Sequence, residues 1–184
     1  MPLVIVIGDG PGGLSAALFL AKSNVDIAVF GQDKTAMNYA LVRNYLGIPE
    51  LTGTAFQQVA RRQVAGFGVE IRDEQVETIE AHGHEYRVLL AGGSHVSAKY
   101  LILSEGKAPK LAKQLGLVFE DKTGIATDKN AKTKLDNVYV VGRSARPGRS
   151  QAIISAGDGA AAAIDILSRE KGEDVVDWDE PAKA

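Results

Sequence analysis

The period of the hydrophobic pattern changes along this chain, and each change marks an element. Residues 3–7 are a short all-apolar run, the pattern of a strand covered on both faces. The next apolar positions, Leu14, Ala17, Leu18 and Ala21, follow helical spacing. Residues 26–30 predict a second strand, which closes a βαβ unit in about 30 residues. Residues 38–51 are irregular, broken by Gly47 and Pro49. Thr54 is the expected N-cap of a helix that turns Phe56, Val59, Ala60 and Val64 inward and ends at Gly66 or Gly68. The period then moves towards two. Runs at 76–80, 86–91 and 95–103, separated by Gly83 and Gly92-Gly93, predict an antiparallel β-meander. Residues 107–115 read as a polar connection with a short helix, 135–141 as a buried strand, and 152–167 as an alanine-rich helix. The acidic residues after Gly172 read as a loosely held tail.

Composition narrows the class. The 184 residues suit one substantial domain, and 45% hydrophobic with 24% charged residues is ordinary for a globular chain. A net charge of −2 gives no electrostatic case for nucleic acid or an anionic membrane. No apolar run approaches the ~20 residues of a membrane span. A strand starting at Leu3 leaves no room for a signal peptide, so a cytoplasmic location is expected. The chain has no cysteine, which excludes disulfides, thiolate zinc sites and dithiol chemistry of its own.

Between the first strand and the first helix stands Gly8-Asp9-Gly10-Pro11-Gly12-Gly13. Its glycines match the dinucleotide fingerprint, and the βαβ context strengthens the match over a bare glycine-rich turn. Gly8 permits the tight turn, Gly10 lets a pyrophosphate approach the backbone, and Gly13 lets helix and strand pack closely. The helix N-terminus adds unpaired N–H groups and about half an elementary positive charge. Two features run against the pattern. Gly31-Gln32 stands where an acid usually closes the second strand to hold a ribose, and Asp33 comes a residue or two late. Asp9 places a carboxylate beside the pyrophosphate path and must point away.

With these motifs the chain resembles the thioredoxin reductases of the low-molecular-weight bacterial type, within the pyridine nucleotide-disulfide oxidoreductase superfamily. The glycine loop is similar to that family's diphosphate loop, and Phe30-Gly31 to its second-strand end, where the family also often lacks the acid. Asn44-Tyr45-Leu46-Gly47-Ile48-Pro49 is similar to an Asn-aromatic-Pro-Gly segment whose asparagine approaches the flavin. Gln75-Val76 resembles the adenine-contacting segment, and Ser104-Glu105-Gly106 occupies the slot of Ala-Thr-Gly. Val138-Tyr139-Val140-Val141-Gly142-Arg143 resembles the strand ending in Gly-Asp, and Gln151-Ala152-Ile153-Ile154-Ser155-Ala156-Gly157 the helix start facing the flavin. The resemblance implies a single Rossmann-like α/β FAD-binding domain over residues 1–172, with a central parallel sheet, flanking helices and the meander, followed by a tail at 173–184. It implies FAD held by Gly8, Gly10, Pro11, Gly12, Gly13, Gly31, Gln32, Asn44, Val76, Ser104, Glu105, Gly106, Gly142, Arg143, Gln151 and Ala152. A homodimer is expected on the same ground.

The family inserts an NAD(P)H domain between the Ala-Thr-Gly and Gly-Asp segments, and here only residues 107–137 lie there. Gly157-Asp158-Gly159-Ala160 imitates a second fingerprint but reads as small-residue helix packing, since no further βαβ unit can follow. The Cys-x-x-Cys belongs to the absent domain, so this polypeptide alone cannot act as a self-contained thioredoxin reductase. The implied function is a flavoprotein oxidoreductase that exchanges electrons or hydride with a separate protein or with NAD(P)H. The alternatives are a non-catalytic dinucleotide-binding or redox-sensor module, or the FAD subunit of a split reductase. Glu105 and Arg143 depart from the family pattern. They are expected to pair, or Arg143 to meet the pyrophosphate, unless both are neutral changes at exposed strand ends. His82, His84 and His95 lack the converging shell of a metal site. Arg143, Arg146, Arg149, Lys107, Lys110 and Lys113 form either a basic rim for an acidic partner or loose surface charge.

Overall fold

A computed structural model of the chain describes residues 1–181. Strand β1 (Val4–Ile7) is buried at every position, as its unbroken apolar run requires. Helix α1 (Pro11–Lys22) and strand β2 (Ile27–Phe30) complete the βαβ unit, with β2 parallel to β1. A 3₁₀ turn at Ala36–Tyr39 leads to two short strands, β3 (Leu41–Val42) and β4 (Leu51–Thr52), which pair antiparallel. Helix α2 (Gly53–Gly66) follows, then β5 (Ile71–Arg72), which joins the sheet beside β2. Strands β6 (Val76–His82), β7 (Glu85–Leu90) and β8 (His95–Ala98) form the antiparallel meander. Strand β9 (Tyr100–Leu103) returns to the parallel sheet. Helix α3 (Lys110–Gln114) and a hairpin of β10 (Phe119–Glu120) and β11 (Gly124–Ile125) lead to β12 (Val138–Val140). Helix α4 (Ala152–Lys171) comes last and stops at Gly172, which is left-handed at φ +75°.

The parallel sheet has the order β12-β9-β1-β2-β5 and separates two cores. On one face Val4, Val6, Tyr100, Ile102 and Tyr139 pack against Leu14 and Ala17 of α1 and Ala162 and Ile166 of α4. On the other, Ile5, Ile7, Leu101, Leu103 and Val140 pack against Ile79, Val88 and Leu90 of the meander and Leu111 of α3. Alternate residues of one strand therefore serve opposite layers, which is why the central runs are apolar throughout.

Several boundaries differ from the sequence expectations. Thr52, not Thr54, caps α2: its Oγ1 accepts the Ala55 N–H at 3.3 Å, while Thr54 Oγ1 donates to the Asn38 carbonyl. The helix starts early because Gly53 alone fits there; a Cβ would lie 1.7 Å from the Met37 carbonyl oxygen. Val59 is exposed, and Gln57 takes the buried place on α2 at 1% exposure. A polar residue there has a polar task, described below. The expected strand 95–103 breaks at Lys99, where the chain leaves the meander and enters the parallel sheet. The strand expected at 135–141 is regular only at β12. The tail is held rather than loose: Lys22 Nζ lies 2.6 Å from both Asp177 and Asp179. The Val175 N–H also bonds to Ser168 Oγ. Residues 182–184 of the expected tail lie outside the described residues.

Of the two glycines of α4, Gly159 is a packing residue, as the small-residue reading expects, and Gly157 is not. Helices α1 and α4 cross so closely that a Cβ at Gly159 would lie 2.0 Å from the Gly12 carbonyl oxygen. Gly157, two residues earlier, is exposed and open. Gly157→Ala is therefore expected to stabilise the protein by about 0.5–1 kcal/mol through helix propensity. Gly159→Ala is expected to destabilise it by at least ~1–3 kcal/mol through overpacking. Urea unfolding of the two variants checks the opposite signs.

Candidate functional site

The carboxyl ends of β1, β2, β9 and β12 open onto one cavity of about 770 Å³, within the ~300–1,000 Å³ range of small-molecule sites. It runs in the crevice beyond the strand ends, where open α/β sheets place their ligands. Every residue proposed from the sequence lines it except Gly13. Gly13 lies beneath the loop, where a Cβ would be 1.8 Å from the Gly8 carbonyl oxygen.

At the floor, Gly8 takes φ +100° and its Cα faces the Ser104 carbonyl so closely that a side chain is excluded. Pro11 opens α1, and neither α1 nor α4 has a side-chain cap at its N-terminus. Both ends border the cavity through Gly10–Gly12 and through Gln151 and Ala152. Unpaired N–H groups at two helix starts make this wall electropositive. Asn44 Nδ2 donates to Gln151 Oε1 at 2.9 Å, joining two candidates 107 positions apart. Gln32 and Lys34 border the end beyond β2, with Glu74, Gln75 and Val76 of the β5–β6 connection.

The model of one family, described as pyridine nucleotide-disulphide oxidoreductase, matches residues 41–160, a stretch that includes half of this cavity's wall. The chain belongs to that family. It is 37% identical over 109 residues to the bifunctional thioredoxin reductase/thioredoxin of Mycobacterium leprae (strain TN), covering 56% of this chain and 23% of that protein. It is 31% identical over 122 residues to the thioredoxin reductase of Mycolicibacterium smegmatis, covering 64% and 38%. The chain thus spans well under half the length of these relatives. A thioredoxin reductase structure from Gloeobacter violaceus overlays with a TM-score of 0.86 at 16% identity, over 96% of this chain and 98% of that one, a likeness of fold.

The two departures noted in this family member are not linked to each other. The Glu105 carboxylate accepts the N–H groups of Leu111 at 2.6 Å and Ala112 at 2.9 Å, which caps α3. The expected Glu105–Arg143 pair is therefore absent: the start of α3 lies nearer and offers two donors. Burial pushes the Glu105 carboxyl above its ordinary range, and these N–H groups oppose the shift. Arg143 is exposed at the cavity wall, with no acidic partner among the described residues. The Gly142 turn is held from α4 instead. Asp158 Oδ2 accepts the Gly142 N–H at 3.3 Å, and Arg146 Nε bonds the same carboxylate at 3.0 Å.

Asp9 does not point its charge along the loop. Its Oδ2 accepts the Asp33 N–H at 2.9 Å and pairs with Arg61, while Gln57 donates to the Asp9 carbonyl. Burial pushes the Asp9 carboxyl up, against the Asp33 N–H and the Arg61 charge. Gln57 and Arg61 lie four apart on α2, one helical turn, and both reach Asp9. Nothing local in the sequence shows that α2 packs over the glycine loop, so neither residue stands among those expected to form the site. The polar residue at an inward helical position was the available signal.

Because Glu105 is protonated more readily in the folded state than in the unfolded chain, the folded state binds more protons between the two pKa values. Stability contributed by this group is present below the ordinary glutamate value and is lost as pH rises through the raised folded one. Glu105→Gln is expected to flatten that decline. Denaturant unfolding across the acid range, wild type against variant, measures the slope.

Proposed function

We propose that this chain binds FAD in the strand-end crevice and serves as the flavin domain of an oxidoreductase that works with a separate redox partner. One observation carries the reading: each acid on the cavity wall is bonded by the protein, and the cations there lack acidic partners among the described residues. Asp9 is paired with Arg61, Glu74 with Arg72, and Glu105 with the start of α3. Lys34, Lys107 and Arg143 line the same cavity without an acidic partner among the described residues. An elongated wall with two uncapped helix starts and three such cations suits a dianionic diphosphate with a ring system at either end.

The residues fit the group. At Gly10 an added Cβ would meet only Thr35 Oγ1, at 3.3 Å, so the glycine is needed less for packing than for the open space above it. That space is the cradle in which a pyrophosphate would rest on the loop and the α1 N-terminus. Glu74, Gln75 and Val76 would border the adenine. Asn44, Gly142, Arg143, Gln151 and Ala152 would border the isoalloxazine and its ribityl chain. When bound, FAD supplies the two-electron chemistry, and the protein supplies position, polarity and exclusion of water. The start of α4 and Arg143 would place positive charge near the ring, which favours its anionic reduced form.

The partner is called for by the interior of the chain. Only α3 and the β10–β11 hairpin lie between β9 and β12, neighbours in the sheet. Neither contains a second glycine fingerprint, and there is no cysteine. Electrons would therefore reach or leave the flavin through another protein. This also supports the narrower reading of an FAD subunit in a split reductase.

FAD is expected to raise the melting temperature of the wild type in a concentration-dependent way. Gly10→Val is expected to melt near the wild type without FAD and to lose at least ~10-fold in affinity, about 1.4 kcal/mol. Thermal unfolding with and without FAD reads both. In anaerobic titration, dithionite is expected to bleach the bound flavin, and NADH or NADPH alone to leave most of it oxidised. Prompt bleaching by either nucleotide would show a donor site within this chain.

A further inference from the structure

Dinucleotide folds usually hold a ribose through an acid at the end of the second strand. Here that position is Gly31, and its neighbours offer no substitute. Gln32 donates to the Asp73 carbonyl at 3.0 Å. The Asp33 carboxylate accepts Asn38 Nδ2 at 3.2 Å, is exposed, and does not line the cavity.

What fills the space at Gly31 is Asp9. A Cβ built on Gly31 would lie 2.3 Å from Asp9 Cβ, 2.4 Å from Asp9 Cγ and 2.8 Å from Asp9 Oδ2. Gly31 is glycine for this reason and not for its backbone, since its φ lies outside the left-handed region. A side chain at the end of β2 and the side chain of Asp9 would occupy one volume. The Asp9 carboxyl thus stands beside the end of β2, in the space that the first atoms of a β2 side chain would enter.

The attachments of Asp9 leave it one free acceptor. Oδ2 takes the Asp33 N–H and Arg61. Apart from the bond between the carboxylate and Asp9's own N–H, Oδ1 accepts from no residue among those described, and Asp9, though only 4% exposed, is part of the cavity wall. Arg61 of α2 and the Asp33 amide after β2 fix the carboxylate, and Gln57 of α2 holds the Asp9 carbonyl, so the remaining oxygen is held in position before any ligand arrives.

We infer that Asp9 receives a ribose hydroxyl of the bound dinucleotide, in the role that an acid at the end of β2 would otherwise have. The inference rests on the dinucleotide reading above. It makes Asp9 a specificity-determining residue, with Arg61 as its positioning residue and Gly31 as the clearance it requires.

The test compares FAD with FAD analogues lacking the 2′- or the 3′-hydroxyl of the adenosine ribose, by quenching of flavin fluorescence. The wild type is expected to bind one deoxy analogue ~10–100-fold more weakly than FAD, the range for a hydrogen bond to a charged group. In Asp9→Ala that ratio is expected to fall to about one. Asp9→Asn keeps the shape, loses the charge and covers the case in which Asp9→Ala does not fold; its ratio is expected to fall several-fold. Arg61→Leu, which removes the contact that positions Asp9, is expected to lower the ratio several-fold while FAD binding persists; an unchanged ratio would overturn the positioning role of Arg61. Equal discrimination in wild type and the Asp9 variants, or none in the wild type, would overturn the inference while FAD binding stands. Failure of the wild type to bind FAD at all would overturn both this inference and the flavin reading.

Discussion

The structure depends on three close backbone contacts under the glycine loop. The Gly8 carbonyl lies against Gly13, the Ser104 carbonyl against Gly8, and the Gly12 carbonyl against Gly159 of α4. No side chain fits at any of these contacts, so β1, β9, α1 and α4 are drawn together by backbone van der Waals contact. That closeness sets the depth of the crevice and brings the starts of α1 and α4 to the same cavity. The uncapped helix ends are a cost to the fold that a bound anion would offset.

Charge is arranged with comparable economy. The acids around the crevice are turned into structural connectors: Asp9 joins the first loop to α2 and to the segment after β2, Glu105 starts α3, and Asp158 holds the Gly142 turn. Each takes N–H groups or a guanidinium as its partner, the kind of bond that justifies a buried carboxylate. Lys34, Lys107 and Arg143 are left at the wall without an acidic partner among the described residues. A site built for a cation or a neutral ligand would have no need to silence its acids in this way.

Much of this was legible in the sequence because it rests on local pattern. The run Val4–Ile7, the glycine loop and α1 follow one another with the spacing that their packing demands, and the cavity gathers the separated motifs at the strand ends. What escaped was set by contacts between distant segments. Thr52 rather than Thr54 starts α2 because Met37 approaches Gly53, and Gln57 is buried because the Asp9 carbonyl needs a donor. Glu105 was expected to meet Arg143, but α3 presents two N–H groups closer by. Gly31 is the most instructive case. Read alone it is a missing acid, and only the position of Asp9 shows why nothing larger fits.

The central claim is that this crevice holds a flavin dinucleotide. Its most direct test is the visible absorption spectrum of the purified protein after incubation with FAD and removal of the free cofactor. The account predicts a yellow protein retaining about one flavin per chain. Protein that emerges colourless, with its folded melting transition intact, would contradict it.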